Sequence, residues 1–171
     1  VEDVDALEVA DPDKLAFISQ TTLSVDETRA IITRLRERFP NITGPRTDDI
    51  CYATTNRQAA VKQLAPLCEL VLVIGSRNSS NSNRLVEVAR EHGADSHLID
   101  NEAQVQEAWL EGVTTLGITS GASAPEELVQ RLVGFFRERG TEHVEEFQVI
   151  QEDVRFMLPK AIRTAMAAAE A

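Results

Sequence analysis

The chain has few positively charged residues for its size. Of its 171 residues, 17 are Lys or Arg and 28 are Asp or Glu, which gives a net charge of −11 at pH 7. Proteins that bind nucleic acids or anionic membrane surfaces rely on Lys and Arg to neutralise phosphate groups. The composition therefore predicts no nucleic-acid partner and no attachment to an anionic membrane.

Long apolar runs and metal-ligand patterns are also absent from the sequence. No stretch approaches the ~20 apolar residues that a membrane-spanning helix needs, and no signal-peptide pattern is visible. Two cysteines, Cys51 and Cys68, are too few for the disulfide framework of a secreted domain. The histidines His92, His97 and His143 lack the mutual spacing of zinc ligands. We therefore expect a cytoplasmic protein without a zinc centre.

Predicted strands and helices alternate along the chain. Strands are predicted at residues 15–19, 70–74, 97–99 and 115–119, and helices at 24–39, 54–65, 85–93, 102–110 and 125–139. Two short strands between residues 144 and 158 and an Ala-rich tail, helical or frayed, complete the prediction. This alternation is typical of the α/β class, in which helices cover both faces of a parallel-type sheet. We expect three-layer domains.

The helix predicted at residues 24–39 has the clearest start signal. Ser24 and Glu27 have the spacing of a capping box, in which each side chain accepts a backbone N–H of the first turn. We expect the inner face of this helix to carry Ile31, Ile32 and Leu35.

A polar loop follows the most apolar predicted strand. Residues 75–84 read Gly-Ser-Arg-Asn-Ser-Ser-Asn-Ser-Asn-Arg and lead into a helix. Backbone N–H groups at such a helix start point at one spot and favour an anion such as phosphate. The loop lacks the Gly-Lys-Ser/Thr of a P-loop and the glycine spacing of a dinucleotide fingerprint. The sequence therefore indicates an anion site of another kind.

A second loop of small residues precedes the helix at 125–139. Residues 119–126 read Thr-Ser-Gly-Ala-Ser-Ala-Pro-Glu. Ser123 has two interpretations: it caps the helix, or it binds an anion together with the first loop. Because ligands of parallel sheets bind beyond the carboxyl ends of the strands, both loops and Gln20-Thr21-Thr22 are predicted to converge.

The two cysteines occupy different sequence environments. Cys51 precedes a predicted helix start, where the helix dipole favours the thiolate and hence metal binding or nucleophilic chemistry. The alternative for Cys51 is a small buried residue in a turn. Cys68 lies at the edge of an apolar strand and is predicted to belong to the core. Asp48 and Asp49 have two interpretations, a paired-carboxylate site or caps of the following turn, and the turn formers before them favour capping.

Four segments of the chain are distinctive when taken together. They are residues 20–24 (Gln-Thr-Thr-Leu-Ser), 49–58 (Asp-Ile-Cys-Tyr-Ala-Thr-Thr-Asn-Arg-Gln), 75–84 and 121–125 (Gly-Ala-Ser-Ala-Pro). In this order they resemble the 4-hydroxy-3-methylbut-2-enyl diphosphate reductases, the last enzymes of the methylerythritol phosphate route to isoprenoids. The resemblance runs from about residue 12 to about residue 159.

The resemblance implies a reaction and a cofactor. The reaction is the two-electron, two-proton reductive removal of the substrate hydroxyl, which gives isopentenyl and dimethylallyl diphosphate. The cofactor is a 4Fe–4S cluster held by three cysteines, of which Cys51 would be the third. An electron donor such as ferredoxin or flavodoxin would serve it.

The resemblance also implies roles for particular side chains. Thr21 would be a catalytic residue that hydrogen-bonds near the reacting hydroxyl and assists proton delivery. The diphosphate of the substrate would be bound by Ser79, Ser80, Asn81 and Ser123.

The family fold consists of three similar α/β domains around the cluster, and the chain resembles its C-terminal half. Residues 1–49 would then be the end of the second domain, residues 50–140 the third domain, and residues 141–171 a tail that packs on the first. This implies one complete domain plus part of a second. The first two cluster cysteines would belong to the missing N-terminal half.

Three hypotheses follow from these observations. The chain is the C-terminal half of a reductase, or a stand-alone diphosphate-binding module, or a structural domain that keeps the fold without the activity. One thiolate does not hold a cluster that needs three, so the first hypothesis requires further polypeptide.

Overall fold

A fully buried strand, β1 (Leu70–Ile74), lies at the centre of a parallel sheet. The computed structural model describes residues 1–45, 49–149, 159 and 162. Strands β2 (Asp95–Ile99) and β3 (Leu116–Ser120) pair with β1 on either side, in the order β2–β1–β3. Since the pairing is parallel, the last residue of β1 lies opposite the last residues of both neighbours.

Helices cover both faces of this sheet. Alternate side chains of β1 point to opposite faces because a strand has a period of two residues. Val71 and Val73 pack in one core with α3 (Tyr52–Leu64) and α4 (Ser80–Glu91). Leu70, Leu72 and Ile74 pack in the other core with α5 (Glu126–Glu138). The predicted α/β class with three layers is confirmed.

The first predicted strand is wrong. Instead of a strand at residues 15–19, a single parallel bridge joins Ala16 to Thr43, and Ile18 is 91% exposed. A parallel strand forms only where a neighbour offers a continuous row of backbone partners. The segment ending at Thr43 offers one bridge, so residues 1–45 carry a helix pair, α1 (Glu2–Ala6) and α2 (Val25–Arg38), without a sheet of their own.

The start of α2 shows the Ser24 half of the predicted capping box, while the Glu27 carboxylate pairs with Arg84 of α4. The predicted inner face of the helix is only partly covered. Ser24 Oγ accepts the backbone N–H of Glu27 at 3.4 Å. Ile32 and Leu35 are half-buried, and Ile31 is 39% exposed. The helix therefore has the predicted amphipathic pattern, but the described residues supply only part of the surface that would cover it.

The helix predicted at residues 102–110 is wrong in type. Two short 3₁₀ helices, Glu102–Gln104 and Glu107–Leu110, stand in its place. Val105 between them has an extended backbone, with φ −65° and ψ 128°. The break follows from packing: Val105 and Trp109 both lie against the core under β1, which two short turns achieve.

The C-terminal predictions fall mostly outside the described residues. Residues 144–149 form no strand, whereas residues 150–158 and the tail from 163 to 171 are not described.

None of the helices described here combines the length and the apolar character that crossing a membrane requires.

Truncation of Leu72 tests the central position of β1. Leu72 is fully buried, so Leu72→Ala is expected to lower the free energy of unfolding by about 2–5 kcal/mol. Leu67→Ala is the matched control, because Leu67 is 60% exposed and surface changes stay within about 0.5 kcal/mol. Urea unfolding followed by circular dichroism measures both. Equal losses in the two variants would contradict the assigned core.

Candidate active site at the carboxyl edge of the sheet

Backbone hydrogen bonds bring the loops after the strands together. The N–H of Gly75, after β1, donates to Ile99 O at the end of β2 at 2.9 Å. The N–H of Gly121, after β3, donates to Ile74 O at the end of β1 at 2.8 Å. The two loops that the sequence singled out therefore leave the sheet side by side, as expected for parallel strands.

Ser82 of α4 fits between the two glycines that begin these loops. A Cβ at Gly75 would lie 2.2 Å from Ser82 Oγ, and a Cβ at Gly121 would lie at the same distance. A side chain at Gly75 would also lie 2.6 Å from Cβ of the fully buried Ser82, whereas at Gly121 that distance is 3.4 Å and only the Ser82 hydroxyl would have to move. This contact fixes the start of α4 against the ends of β1 and β3.

The start of α4 has the features of an anion site. Ser79 is the N-cap, and its Oγ accepts the N–H of Ser82 at 3.3 Å and the Ser82 hydroxyl at 3.0 Å. Ser80, the first helical residue, is exposed. Within the described part of the chain, the backbone N–H groups of Ser80 and Asn81 have no acceptor. These donors and the helix dipole favour a negatively charged ligand.

Asn81 is the most unusual polar side chain of the site. It is 6% exposed, and neither its Nδ2 nor its Oδ1 has a hydrogen-bond partner among the described residues. Burying an unpaired polar group costs about 1–3 kcal/mol. The amide of Asn81 therefore has its hydrogen-bonding capacity available to a ligand, to ordered water or to further polypeptide.

Ser123 lies in the neighbouring loop but does not cap α5. The helix has Pro125 at its N-cap without any side-chain capping bond, and Ser123 is exposed. The loop is instead closed by the N–H of Ala124, which donates to Gly121 O at 3.0 Å. The capping interpretation of Ser123 is therefore wrong, and its side chain is exposed in the loop that begins at Gly121.

Cys51 is accessible at the start of α3. It occupies the N-cap position with an exposed side chain, which caps no backbone N–H. Its Sγ lies 3.1 Å from the hydroxyl of Thr54. The buried alternative for Cys51 is wrong. Cys68, in contrast, is half-buried against the core, and burial raises the pKa of its thiol.

Thr21 lies next to Cys51. The backbone N–H of Cys51 donates to Thr21 O at 3.2 Å. Asp49 accepts both the N–H and the hydroxyl of Ser19, at 2.8 and 3.1 Å. Asp49 therefore joins the segment of Ser19 to its own segment instead of capping a turn. Asp48 lies outside the described residues. The structure thus joins the loop of Thr21 to the segment of Cys51.

Two residues of α3 connect these parts, although their sequence context predicts no such role. Arg57 donates through Nη1 to Ser120 O at 2.9 Å and lies 3.3 Å from Ser120 Oγ, at the end of β3. Gln58 is fully buried and hydrogen-bonds to Leu23 and Val25. The sequence did contain a signal for Gln58: a long polar side chain lies on the same helical face as Val61, where an apolar residue is usual.

The described residues do not form a complete metal site. Within residues 1–45 and 49–149, no three His, Cys, Asp or Glu side chains come together as metal ligands. Cys51 is exposed, hydrogen-bonded to a hydroxyl and placed at a helix start, which suits a single thiolate ligand. The remaining ligands of any metal cluster must come from elsewhere.

The fold and the site define an α/β protein with free backbone N–H groups at the start of α4, at the carboxyl edge of the sheet, and an accessible thiol at the start of α3. The family model of the LytB protein matches residues 1–137. The chain belongs to the LytB family, and the resemblance noted in the sequence is confirmed.

Relatives of known name agree with this assignment. The 4-hydroxy-3-methylbut-2-enyl diphosphate reductase of Neisseria meningitidis serogroup C is 56% identical over 163 residues, covering 95% of this chain and 51% of the relative. That of Alcanivorax borkumensis is 56% identical over 161 residues, covering 94% and 52%. The chain therefore spans about half the length of the curated relatives it matches.

A solved structure supports the fold over nearly the whole chain. The E-1-hydroxy-2-methyl-but-2-enyl-4-diphosphate reductase of Plasmodium falciparum matches with a TM-score of 0.85 and 31% sequence identity. The match covers 99% of this chain and 54% of that one.

Alanine at Gly75 tests the packing that holds the start of α4. Its Cβ would lie 2.6 Å from Ser82 Cβ, which no rotation of the Ser82 hydroxyl relieves. We expect Gly75→Ala to cost about 1–3 kcal/mol of stability and to weaken binding of inorganic pyrophosphate. At Gly121 the corresponding distance to Ser82 Cβ is 3.4 Å, so Gly121→Ala is expected to cost less. Thermal unfolding and calorimetric titration measure the two effects.

The matched control for these variants is Gly134→Ala. Gly134 lies within α5, and a Cβ added there would meet no atom within 4 Å. Alanine there should stabilise the helix by about 1 kcal/mol and leave pyrophosphate binding unchanged. A Gly75→Ala variant as stable as this control would contradict the close contact with Ser82.

Proposed function

We propose that this chain provides the C-terminal half of a reductase that converts 4-hydroxy-3-methylbut-2-enyl diphosphate to isopentenyl and dimethylallyl diphosphate. The support is the family membership, the reductase names of relatives 56% identical to it, and the site at the carboxyl edge. In the reaction the carbon–oxygen bond of the hydroxyl breaks. Two electrons and two protons enter, one proton leaves with the hydroxyl as water, and the other is added to carbon.

The buried and unpaired amide of Asn81 carries the proposal. A diphosphate at the start of α4 offers acceptor oxygens to Asn81 Nδ2 and to the free N–H groups of Ser80 and Asn81. The hydroxyls of Ser79, Ser80 and Ser123 complete a set of neutral donors. Such donors and a helix N-terminus bind phosphate without Lys or Arg, which fits an acidic chain.

Thr21 is proposed as the catalytic residue of this half. The backbone carbonyl of Thr21 accepts the N–H of Cys51. This hydrogen bond keeps the Thr21 residue close to the proposed cluster ligand. From that position its hydroxyl would hydrogen-bond near the substrate hydroxyl and assist proton delivery.

Cys51 is proposed as one of three cysteine ligands of a 4Fe–4S cluster. When bound, the cluster would pass the two electrons of the reaction to the substrate and act as a Lewis acid toward its hydroxyl. The other two cysteines would come from the missing N-terminal half, and a ferredoxin or flavodoxin would deliver the electrons. The reaction is proposed to take place in the cytoplasm.

A second candidate function is diphosphate binding without redox chemistry. It is favoured by one observation: the described residues contain the proposed diphosphate ligands but only one accessible thiol. The two candidates differ in whether activity appears once an N-terminal half is supplied.

Removal of two hydroxyls tests the diphosphate site. Ser79→Ala and Ser123→Ala each remove a donor to a charged ligand, worth roughly 1.5–3 kcal/mol, so each is expected to weaken affinity for isopentenyl diphosphate by about tenfold or more. Calorimetric titration measures the affinity. Thr141→Ala, which removes an exposed hydroxyl after the distal end of α5, is the control. Unchanged affinity in both serine variants contradicts the site.

Anaerobic reconstitution with iron and sulfide tests the cluster. The chain alone should stay colourless, because one thiolate does not hold a cluster that needs three. Together with the N-terminal half of the Neisseria meningitidis relative, it should acquire the visible absorption of an iron–sulfur centre and reduce the hydroxylated diphosphate. Cys51→Ser should abolish both, whereas Cys68→Ser should retain both. A coloured and active Cys51→Ser complex would exclude Cys51 as a ligand.

A further inference from the structure

Gln58 is a buried polar residue at a position that normally takes an apolar one. It lies on the face of α3 that also carries Thr54 and Val61, and it is 1% exposed. A buried amide is costly unless both its donor and its acceptor are satisfied. Here both are: Nε2 donates to Leu23 O at 2.9 Å, and Oε1 accepts the N–H of Val25 at 3.0 Å.

These two bonds, together called the Gln58 bridge, hold the segment that carries Thr21 and Thr22. Val25 is the first residue of α2, so the bridge satisfies a backbone donor that the helix itself leaves free. The bridge holds this segment on its C-terminal side. On its N-terminal side Thr21 O accepts the N–H of Cys51 at 3.2 Å.

We propose that Gln58 is a positioning residue, which fixes the Thr21–Thr22 segment against Cys51 in the orientation that the reaction requires. The same helical face presents Thr54 to the sulfur of Cys51 and Gln58 to Leu23 and Val25. One rigid helix therefore sets the distance between the thiol and the catalytic threonine. The link to catalysis rests on the proposed function, whereas the link to the loop rests on the hydrogen bonds alone.

The charged groups around the bridge are already paired with one another. Lys62 of α3 pairs with Asp26 of α2, and this bond holds the pKa of the Asp26 carboxyl below its usual range. Arg84 of α4 pairs with Glu27 at 3.2 Å. His92 also lies close enough to Asp26 to lower the pKa of its carboxyl. Because variant and wild type are compared at each pH, these groups are common to both, and a carboxyl introduced at Gln58 is the one titratable group that differs.

Gln58→Glu is the decisive variant, because the two side chains have the same shape. A protonated carboxyl still donates to Leu23 O and accepts from Val25. An ionised carboxylate only accepts, so its second oxygen faces Leu23 O and repels it. Burial raises the pKa of a carboxyl at this position, so the bridge is intact at the acidic end of the range and breaks as the pH rises.

The kinetic test uses the cluster-loaded reductase that contains this chain. The ratio of variant to wild-type kcat should be near one at pH 6 and fall on the order of 100-fold by pH 9, the scale of a misplaced catalytic group. KM should change by less than about threefold, because the proposed diphosphate ligands lie on other elements. Gln63→Glu, at an exposed position of the same helix, controls for the added charge and should give a flat ratio.

Three kinetic outcomes would overturn the proposal. They are a ratio that does not depend on pH, a ratio equal to that of Gln63→Glu, and a rise in KM at constant kcat. Thermal unfolding of each variant at both pH values separates a local loss of position from a general loss of stability.

Amide hydrogen exchange tests the bridge independently of activity. Gln58→Leu removes the acceptor of the Val25 N–H, so this amide should exchange about tenfold faster or more, while the amides of β1 stay protected. Gln63→Leu should change neither. Unchanged protection of Val25 would refute the bridge even in an active enzyme, whereas an inactive wild-type complex with an intact bridge would refute the proposed function alone.

Discussion

Close contact between Ser82 and two glycines is the constraint on which the carboxyl edge depends. Gly75 and Gly121 directly follow β1 and β3, at positions where an added Cβ would lie 2.2 Å from the hydroxyl oxygen of Ser82. Because parallel strands end at the same edge, one small buried serine can contact two loops at once. The start of α4 is thereby fixed, and with it the direction of its free N–H groups. The proposed diphosphate ligands inherit their geometry from this contact rather than from their own loop.

The acidic composition is consistent with a site that binds an anion without cations. With a net charge of −11, the chain as a whole repels a diphosphate in solution. At the start of α4, backbone N–H groups, hydroxyls and the amide of Asn81 counteract this repulsion. Neutral donors of fixed direction bind a phosphate by geometry, so selectivity in the proposed function would come from position rather than from charge.

The sequence predicted the elements whose pattern is local and failed where packing decides. The N-cap signal of Ser24 and the apolar run of β1 were sufficient for α2 and the central strand. Residues 15–19 have the composition of a strand, but strand formation needs a neighbour, and only Ala16 has one. The segment at 102–110 has helical spacing, yet Val105 adopts an extended backbone to reach the core. The same holds for the candidate site. Ser79 and Ser123 were found from their own loops, whereas the role of Gln58 depends on partners more than 30 positions away in the sequence.

Two ties between residues 19–25 and the start of α3 cross the predicted domain boundary after residue 49. Thr21 bonds to Cys51, and Gln58 bonds to Leu23 and to the start of α2. In the proposed enzyme the threonine and the thiol belong to different domains, so neither domain alone would fix the distance between them. Hydrogen bonds across the boundary restrict that freedom, since each must break before the two units move apart. The boundary is therefore where the proposed chemistry requires the structure to be most rigid.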